Sequence, residues 1–298
     1  SMLDLLIPTI AQGLLWSLLA LGVYITFRVL DIADLSVEGT FPLGAAVAAT
    51  CITSGHSLVT AFVLAVLAGC VAGAVTGLLT TKLKIPALLS GILTMIGLYS
   101  INLRVMGRAN LSLLGQTTIY SWGASAGLTE AQTTLAVGLI AALLVVAVVY
   151  WFFGTEIGLA LRATGYNPQM SRAQGVNTDS MVILGLLLSN GLVALSGALV
   201  GQSNGFADAG MGVGTIVIGL ASVIIGEVLF GTRSFKNCLI SVVLGSIVYR
   251  LVIAIVLELG MPPNDLKLFT AILVAIALSL PLIQSKLRAA SRLTGRAS

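Results

Sequence analysis

The residues of this sequence that could perform chemistry are a few carboxylates beside glycine-containing apolar segments. Asp34 and Glu38 accompany one such segment, and Asp208 and Glu227 accompany another. A charged group in hydrocarbon costs about 3 kcal/mol on insertion scales, so a charge that stays there marks a function or a partner. Glu38 is a candidate to line a transport path or its gate, and the alternative is a structural role in helix capping or pairing. Asp208, at the mouth of the second segment, is expected to begin a helix.

The other polar residues of the apolar segments point to structure. Glu227 is expected to pair with Arg233, with contact to an ATPase as the alternative. Asn102 and Asn190 are uncharged, and such side chains can bridge helices in a membrane.

The residue types argue against catalysis and metal binding. His56 is the only histidine, and the three cysteines lie in apolar runs without metal-ligand spacing. The sequence contains no G-x-x-x-x-G-K-[ST] phosphate-binding loop, because GTRSFKN lacks the spacing. We therefore predict no catalytic residue, no metal and no cofactor in this chain. Any ATP and Mg²⁺ would be bound by another chain.

The composition indicates that these residues are positioned by helices in a bilayer. Of the 298 residues, 57% are hydrophobic and only 9% are charged, with a mean hydropathy of +1.07. A soluble domain carries roughly 25% charged residues. Long apolar runs such as LAVGLIAALLVVAVVYWFF argue against a β-barrel, whose strands alternate in polarity. We predict an all-α polytopic membrane protein, with residues 1–298 forming a single transmembrane domain of about eight to ten helices.

Nine membrane spans can be drawn along the sequence. The second is short and interrupted by Gly39, Pro42 and Gly44. The loop 107–131 carries Tyr120 and Trp122, whose rings favour the membrane interface. The spans run over residues 5–27, 36–53, 58–81, 86–106, 132–153, 179–202, 213–230, 238–258 and 266–284.

Basic residues predict the orientation of the spans. If the tail 285–298 lies inside and the spans alternate, 11 of the 15 Lys and Arg residues fall on the cytoplasmic side. The N-terminus then lies outside, unless the stretch 28–54 forms two half-spans. The net charge of +4 is explained by these loops and does not indicate nucleic acid.

Two segments resemble each other and predict a transport path. With one inserted residue, ADLSVEGTFPLGAA from Ala33 aligns with ADAGMGVGTIVIGLA from Ala207. Gly39, Thr40 and Gly44 then match Gly214, Thr215 and Gly219 at a constant offset of 175. The drawn topology runs them in opposite senses, which is an inverted repeat of broken helices, although chance similarity in a Gly/Ala-rich sequence is an alternative. Unwound backbone in a membrane is tolerated where it lines a cavity. The predicted pathway residues are Ser36, Glu38, Gly39, Thr40, Phe41, Asp208, Met211, Gly214 and Thr215.

The longest cytoplasmic loop has the features of a docking element. Within residues 155–178 we predict a helix from Glu156 to Ala163, a turn over Gly165–Pro168 and a second short helix ending near Gly175. An importer driven by a separate ATPase needs such an element, whereas the alternative is an ordinary interfacial loop. The residues predicted to couple to an ATPase are Glu156, Leu159, Arg162, Ala163, Thr164, Gly165, Asn167 and Pro168.

Three motifs connect the sequence to a known superfamily. LRATGYNPQMSRAQGVN resembles the cytoplasmic loop of permeases of the branched-chain amino acid and ribose ABC importers, and VLDIADLSVEGTFPLGAA resembles their signature after the first span. NGFADAGMGVGTIVIGLASVIIGEVLFG most resembles the tryptophan/tyrosine importer permeases. The similarity covers nearly the whole chain.

The resemblance implies a multi-pass permease subunit of an ABC importer in the bacterial inner membrane. Such a permease usually acts as a homodimer on two ATPase subunits. It receives a small polar or aromatic solute, for example an amino acid, from an extracytoplasmic binding protein. The alternative is an ion-coupled secondary transporter that depends on an intramembrane carboxylate such as Glu38.

Overall fold

The computed structural model describes residues 2–296, with side chains from residue 4 onwards. Seven of the helices in this part of the chain are long and apolar enough to cross a membrane, so the predicted all-α polytopic fold is confirmed. They are α1 (Met2–Tyr24, continued by a π-helical turn Ile25–Val29), α3 (Leu58–Thr81), α4 (Ala87–Met106), α6 (Glu130–Phe153), α9 (Thr178–Asn204), α11 (Phe235–Glu258) and α12 (Leu266–Arg296).

The remaining elements are short. Two further apolar helices are α2 (Val37–Thr53) and α10 (Thr215–Phe230). Outside the spans lie the small helices α5 (Trp122–Ser125), α7 (Glu156–Tyr166) and α8 (Pro168–Ala173), a 3₁₀ turn (Pro263–Asp265), and the strands β1 (Asn110–Ser112) and β2 (Phe206–Asp208). β1 and β2 pair antiparallel and join the segments that follow α4 and α9.

The helix ends follow from local sequence. Thr129 caps α6 in a capping box with Gln132, and the side chains of Asn177 and Ser234 accept hydrogen bonds from the first turns of α9 and α11. The last helix differs from the prediction, because the basic stretch after Ser285 continues α12 to Arg296 instead of forming a separate tail. Lys and Arg are good helix formers, so nothing in this stretch ends the helix.

The spans alternate in direction as predicted. At one end of the bundle, here called the basic end, Arg28 pairs with Glu227 and α7 packs on the turn after α1. At the other end, Gln12 of α1 bonds Ser203 of α9, and β1 pairs with β2. The side of the membrane that each end faces stays a prediction from the basic residues.

The chain contains two halves with matching packing. Helix α9 contacts both α2 and α3, α1 contacts both α10 and α11, and α1 and α9 also contact each other. The 17 residues of α2 and the 16 of α10 span about 25 Å each, less than the hydrocarbon thickness of about 30 Å. Both fall a few ångströms short of a full span, and we call them the half-helices of the predicted internal repeat.

The two half-helices begin beside each other and run in opposite directions. Ser36, which precedes α2, lies beside Asn190 near the midpoint of α9, and α2 then rises away from the basic end. Gly212, which precedes α10, packs on the Glu38 carbonyl, and α10 descends to Glu227 at the basic end. The structure therefore contains the predicted inverted pair.

The break in the second span is misplaced in the prediction. Helix α2 continues through Gly39, Pro42 and Gly44, and the non-helical backbone lies before it, at residues 30–36. Pro42 lacks the N–H that would bond the Glu38 carbonyl, and Gly212 packs against both that carbonyl and the proline ring.

Gly44 allows a close approach between α2 and α9. A Cβ built on Gly44 would overlap the carbonyl oxygen of Ala194, so any side chain must push the helices apart. We expect Gly44→Ala to lower the free energy of unfolding by about 1–3 kcal/mol, measured by denaturant titration in detergent. Gly97→Ala is the control, because a Cβ at Gly97 meets nothing within 4 Å. Equal stability of the two variants would contradict this packing argument.

Candidate functional site

A cleft lies where α2, α4 and the segment before α10 meet. We call it the mid-bundle cleft; it opens on the outer face of the bundle, where Tyr99 and Val213 are more than half exposed, and its volume is about 430 Å³. Its lining includes Glu38, Met95, Tyr99, Asn102, Ala209 and Val213. Of the residues predicted to line a pathway, Glu38 and Gly39 lie on it.

Glu38 joins the two half-helices. It stands in the first turn of α2, and its Oε1 accepts the backbone N–H of Gly214, which precedes α10, at 3.2 Å. A carboxylate is favourable at a helix N-terminus, where backbone N–H groups lack partners inside the helix. Glu38 therefore contributes to the start of both half-helices while it lines the cleft.

A buried polar network lies behind the cleft. The side-chain nitrogen of Asn190 donates to Asp34 Oδ2 at 3.0 Å, and Thr40 donates to Asn190 Oδ1 at 2.7 Å. The backbone N–H and hydroxyl of Ser36 both donate to Asp34 Oδ1. Asp34, Ser36, Thr40 and Asn190 are all buried, so this network fixes the loop before α2 to the middle of α9. The predicted bridging role of Asn190 is confirmed.

Three other predicted pathway residues lie away from the cleft lining. Phe41 is fully buried and stacks on Trp16, with ring centroids 4.8 Å apart. Met211 packs against two apolar clusters of the core. The hydroxyl of Thr215 donates to the carbonyl of Gly212 and closes the turn before α10.

The prediction that Asp208 begins a helix is wrong. Asp208 lies in β2, where it faces Asn110 of β1, and its carboxylate accepts the N–H of Gly210. This bond closes a turn directly after β2, and six residues, 209–214, lie between β2 and α10. Those residues are the non-helical backbone that passes the cleft.

The loop 107–131 folds over the end of α9. The hydroxyl of Tyr120 donates to the carbonyl of Leu199 at 2.9 Å, and Gln202 accepts the N–H of Ile119 at 2.9 Å. Burial raises the pKa of the Tyr120 hydroxyl, so it stays a proton donor to this carbonyl at neutral pH. Trp122 remains exposed, which fits the predicted interfacial position.

The loop between α6 and α9 forms two helices with a packed face and an open face. Leu161, Gly158 and Thr164 are buried against the bundle, whereas Glu156, Leu159 and Arg162 are exposed. Asn167 and Pro168 are also exposed, and Ala163 and Gly165 are partly covered. The open face includes three apolar side chains that the prediction omitted: Ile157, Tyr166 and Met170.

The predicted bounds of the first of these helices are wrong. Helix α7 continues through Gly165 to Tyr166, and only Asn167 separates it from α8. Asn167 caps α8 by accepting the N–H of Met170, and Pro168 occupies the first helical position. The predicted four-residue turn is therefore a single-residue joint.

At the basic end, α7 contacts the turn after α1 and the start of α11. A Cβ built on Gly165 would overlap the carbonyl oxygen of Val29 in the π-helical turn after α1. The Arg162 guanidinium lies 4.5 Å from the ring centroid of Phe235, the first residue of α11. These contacts join α7 directly to the loop that leads into α2.

The predicted Glu227–Arg233 pair is wrong, because Glu227 pairs with Arg28 at 2.9 Å. Gly231 turns the chain after α10 with a φ of +83°, which carries Arg233 away, while α1 and α10 pack together and bring Arg28 close. This ion pair joins the basic ends of α1 and α10.

Several residues of the cleft were not predicted. Met95, Tyr99 and Asn102 come from α4, which the sequence presents as an ordinary span. Their spacing of i, i+4 and i+7 places them on one helical face, and that spacing is the sequence signal for them. Asn102 also bridges helices as predicted, because its Nδ2 donates to the Gly39 carbonyl at 3.3 Å.

Comparisons with known proteins identify the family. Residues 5–278 match the family model described as branched-chain amino acid transport system / permease component. The chain is 42% identical to the tyrosine transport system permease protein of Clostridioides difficile (strain R20291) over 269 residues, which cover 90% of this chain and 88% of that protein. It is 35% identical to an uncharacterized protein of Rickettsia prowazekii (strain Madrid E), over 93% of this chain and 98% of that protein.

A solved structure of an inward-facing ABC transporter covers 95% of this chain, with a TM-score of 0.48 and 16% identity; the match covers 85% of that chain.

The chain belongs to the family of branched-chain amino acid transport system permease components. It is the permease component of an ABC transporter, a multi-pass protein of the inner membrane and a transport subunit instead of a catalytic one. The family and the membrane location that the sequence motifs predicted are confirmed.

Proposed function

We propose that this chain is the permease of an importer for an aromatic amino acid of the tyrosine type. An extracytoplasmic binding protein would deliver the substrate, and a separate ATPase subunit holding ATP and Mg²⁺ would drive transport. Two copies of this chain would form the translocation unit. The 42% identity to a tyrosine transport permease over 90% of the chain carries the choice of substrate.

The meeting of the half-helices supports a pathway through the mid-bundle cleft. Half-helix ends expose backbone groups inside the membrane, and unwound backbone there is tolerated where it lines a cavity. Glu38 and Gly39 of α2 and Val213 before α10 line this cleft, and Gly214 bonds Glu38 beside it. The Tyr99 ring and the Met95 thioether provide surfaces on which an aromatic substrate can pack.

The open face of α7 and α8 supports the ATPase contact. Exposed apolar side chains beside charged ones are expected on a surface that docks into another protein. Leu159, Tyr166 and Met170 provide this surface together with Glu156 and Arg162. Because the packed face touches the turn after α1, motion of the ATPase would reach the loop before α2.

The test is uptake of labelled tyrosine by proteoliposomes that contain this chain, its ATPase and its binding protein. We expect uptake only with ATP and loaded binding protein, and we expect a double variant Leu159→Asp/Tyr166→Asp to abolish it by disrupting the open face. Thr294→Asp, on the exposed end of α12, serves as the control for adding a carboxylate to the protein surface.

Two outcomes would overturn this proposal. Uptake driven by an ion gradient without the ATPase would support the secondary transporter instead. Full ATP-driven uptake by the double variant would remove the docking role from α7 and α8.

A further inference from the structure

A second cleft lies at the basic end of the bundle, between the end of α6, helix α7 and the start of α11. We call it the boundary cleft, and its lining includes Tyr150, Trp151, Arg162, Ser234 and Lys236. Its volume is about 580 Å³, within the range of about 300–1,000 Å³ that is usual for small-molecule sites. It shares no lining residue with the mid-bundle cleft.

The boundary cleft is positively charged. Its lining contains Arg162 and Lys236 but no Asp or Glu. The Arg162 guanidinium lies 4.5 Å from the ring centroid of Phe235, so it is directed towards the first turn of α11, which carries Lys236. Neither cation forms an ion pair with a carboxylate in the part of the chain that the structure describes. Two cations that share a cleft without a counter-charge favour an anionic ligand.

The hydrogen-bond donors of the boundary cleft suit a phosphate group. The planar guanidinium of Arg162 can bind two phosphate oxygens at once, and the ammonium of Lys236 adds a compact charge. The Ser234 hydroxyl accepts the Asn237 N–H at 3.1 Å and still has a proton to donate. Three side chains of the lining can therefore donate to the same anion.

The position of the boundary cleft matches the level at which a bilayer places its phosphates. Tyr150 and Trp151 stand in the last turn of α6, and Ser234 caps the start of α11, so the cleft lies at the ends of two membrane spans. Only 22% of the apolar stretch of α6 is buried inside the chain, and Trp151 is 69% exposed. Trp and Tyr favour the membrane interface, and basic pockets between spanning helices bind anionic headgroups.

We infer that the boundary cleft binds the headgroup phosphate of an anionic phospholipid. Arg162, Ser234 and Lys236 hold the phosphate, and the acyl chains lie along the exposed face of α6 beside Trp151. The bound lipid connects α6 and α11 to α7, next to the open face that is proposed to contact the ATPase. The transported substrate takes no part in this site.

The test measures which lipid stays bound to the purified full-length chain. The chain is equilibrated in detergent with an equimolar mixture of phosphatidylglycerol and phosphatidylcholine, and native mass spectrometry counts the lipids that each molecule retains. We expect phosphatidylglycerol to be retained over phosphatidylcholine, which has no net charge. Arg162→Gln and Lys236→Gln should each weaken the retention of phosphatidylglycerol about fivefold, as expected for the loss of one cation at an anionic headgroup.

Lys84→Gln is the matched control. Lys84 is an exposed cation in the loop between α3 and α4, at the same end of the bundle, and it does not line the boundary cleft. Its removal changes the net charge by the same amount as Lys236→Gln, so the retention of phosphatidylglycerol should match that of the unchanged chain. Equal losses in these two variants would indicate general attraction to the basic end and would overturn the inference.

Three further results would also overturn it. Equal retention of the two lipids would remove the preference for an anionic headgroup. Displacement of phosphatidylglycerol by excess inorganic phosphate would assign the cleft to a free anion. Loss of ATPase binding in Lys236→Gln, with unchanged retention of phosphatidylglycerol, would assign it to the ATPase. Because Arg162→Gln also removes the contact with Phe235, each variant's unfolding midpoint is recorded without lipid, and the exposed Lys236 decides if Arg162→Gln is destabilised.

Discussion

Replacing Asn190 with leucine is expected to lower the free energy of unfolding by about 3 kcal/mol. Asn190 donates to Asp34 and to the Leu186 carbonyl, and it accepts from Thr40. Leucine has similar bulk but no polar group, so the Asp34 carboxylate loses a donor at the buried centre of the bundle. The measurement is denaturant titration in detergent, followed by helical circular dichroism.

A double variant separates the network from simple packing. Asp34→Ala/Asn190→Leu removes the carboxylate whose Oδ2 loses the Asn190 donor in the single variant, so it should recover at least part of the lost stability. If the stability losses of Asp34→Ala and Asn190→Leu, measured separately, simply add in the double variant, Asp34 and Asn190 are not energetically coupled. The same variants report on transport, because the loop that Asp34 fixes leads directly into Glu38.

Composition was sufficient to predict the membrane helices. Residues 58–81 and 132–153 read as uninterrupted apolar runs longer than the hydrocarbon layer, and the structure has α3 at Leu58–Thr81 and α6 at Glu130–Phe153. The opposed half-helices were also predictable, since Gly39, Thr40 and Gly44 repeat at Gly214, Thr215 and Gly219. The position of the non-helical backbone could not be predicted from this similarity. Glycine is found both in unwound turns and where two helices pack closely, so its presence does not distinguish the two.

The contacts of the site depend on packing between segments that lie far apart in the sequence. Asp34 meets Asn190 across 156 positions, and Glu227 selects Arg28 over the nearby Arg233. Sequence proximity suggested the wrong ion pair because Gly231 redirects the chain after α10. The cleft residues of α4 were missed for a different reason: Met95 and Tyr99 are ordinary in a span, and only a neighbouring non-helical segment makes their face a cavity wall.

Replacing Gly165 with alanine is expected to weaken the coupling between ATP turnover and transport about tenfold or more. The added methyl group would overlap the Val29 carbonyl oxygen, so α7 must move away from the turn after α1. Overpacking of this kind costs about 1–3 kcal/mol when the neighbour is backbone, because backbone cannot rotate away as a side chain can. We expect stimulation of the ATPase by loaded binding protein to fall about tenfold or more, measured in proteoliposomes.

Gly154→Ala is the matched control at the start of the same loop. Its backbone is helical, and its Cβ would lie 3.4 Å from the nearest atom, the Trp151 carbonyl oxygen, so the substitution needs little adjustment. If both variants remain folded at the assay temperature and only Gly165→Ala loses stimulation, the Val29 contact transmits the motion. If Gly165→Ala retains full stimulation, α7 does not drive the loop before α2 through this contact. The Arg162–Phe235 and Arg28–Glu227 contacts would then be two other connections from the basic end to the half-helices.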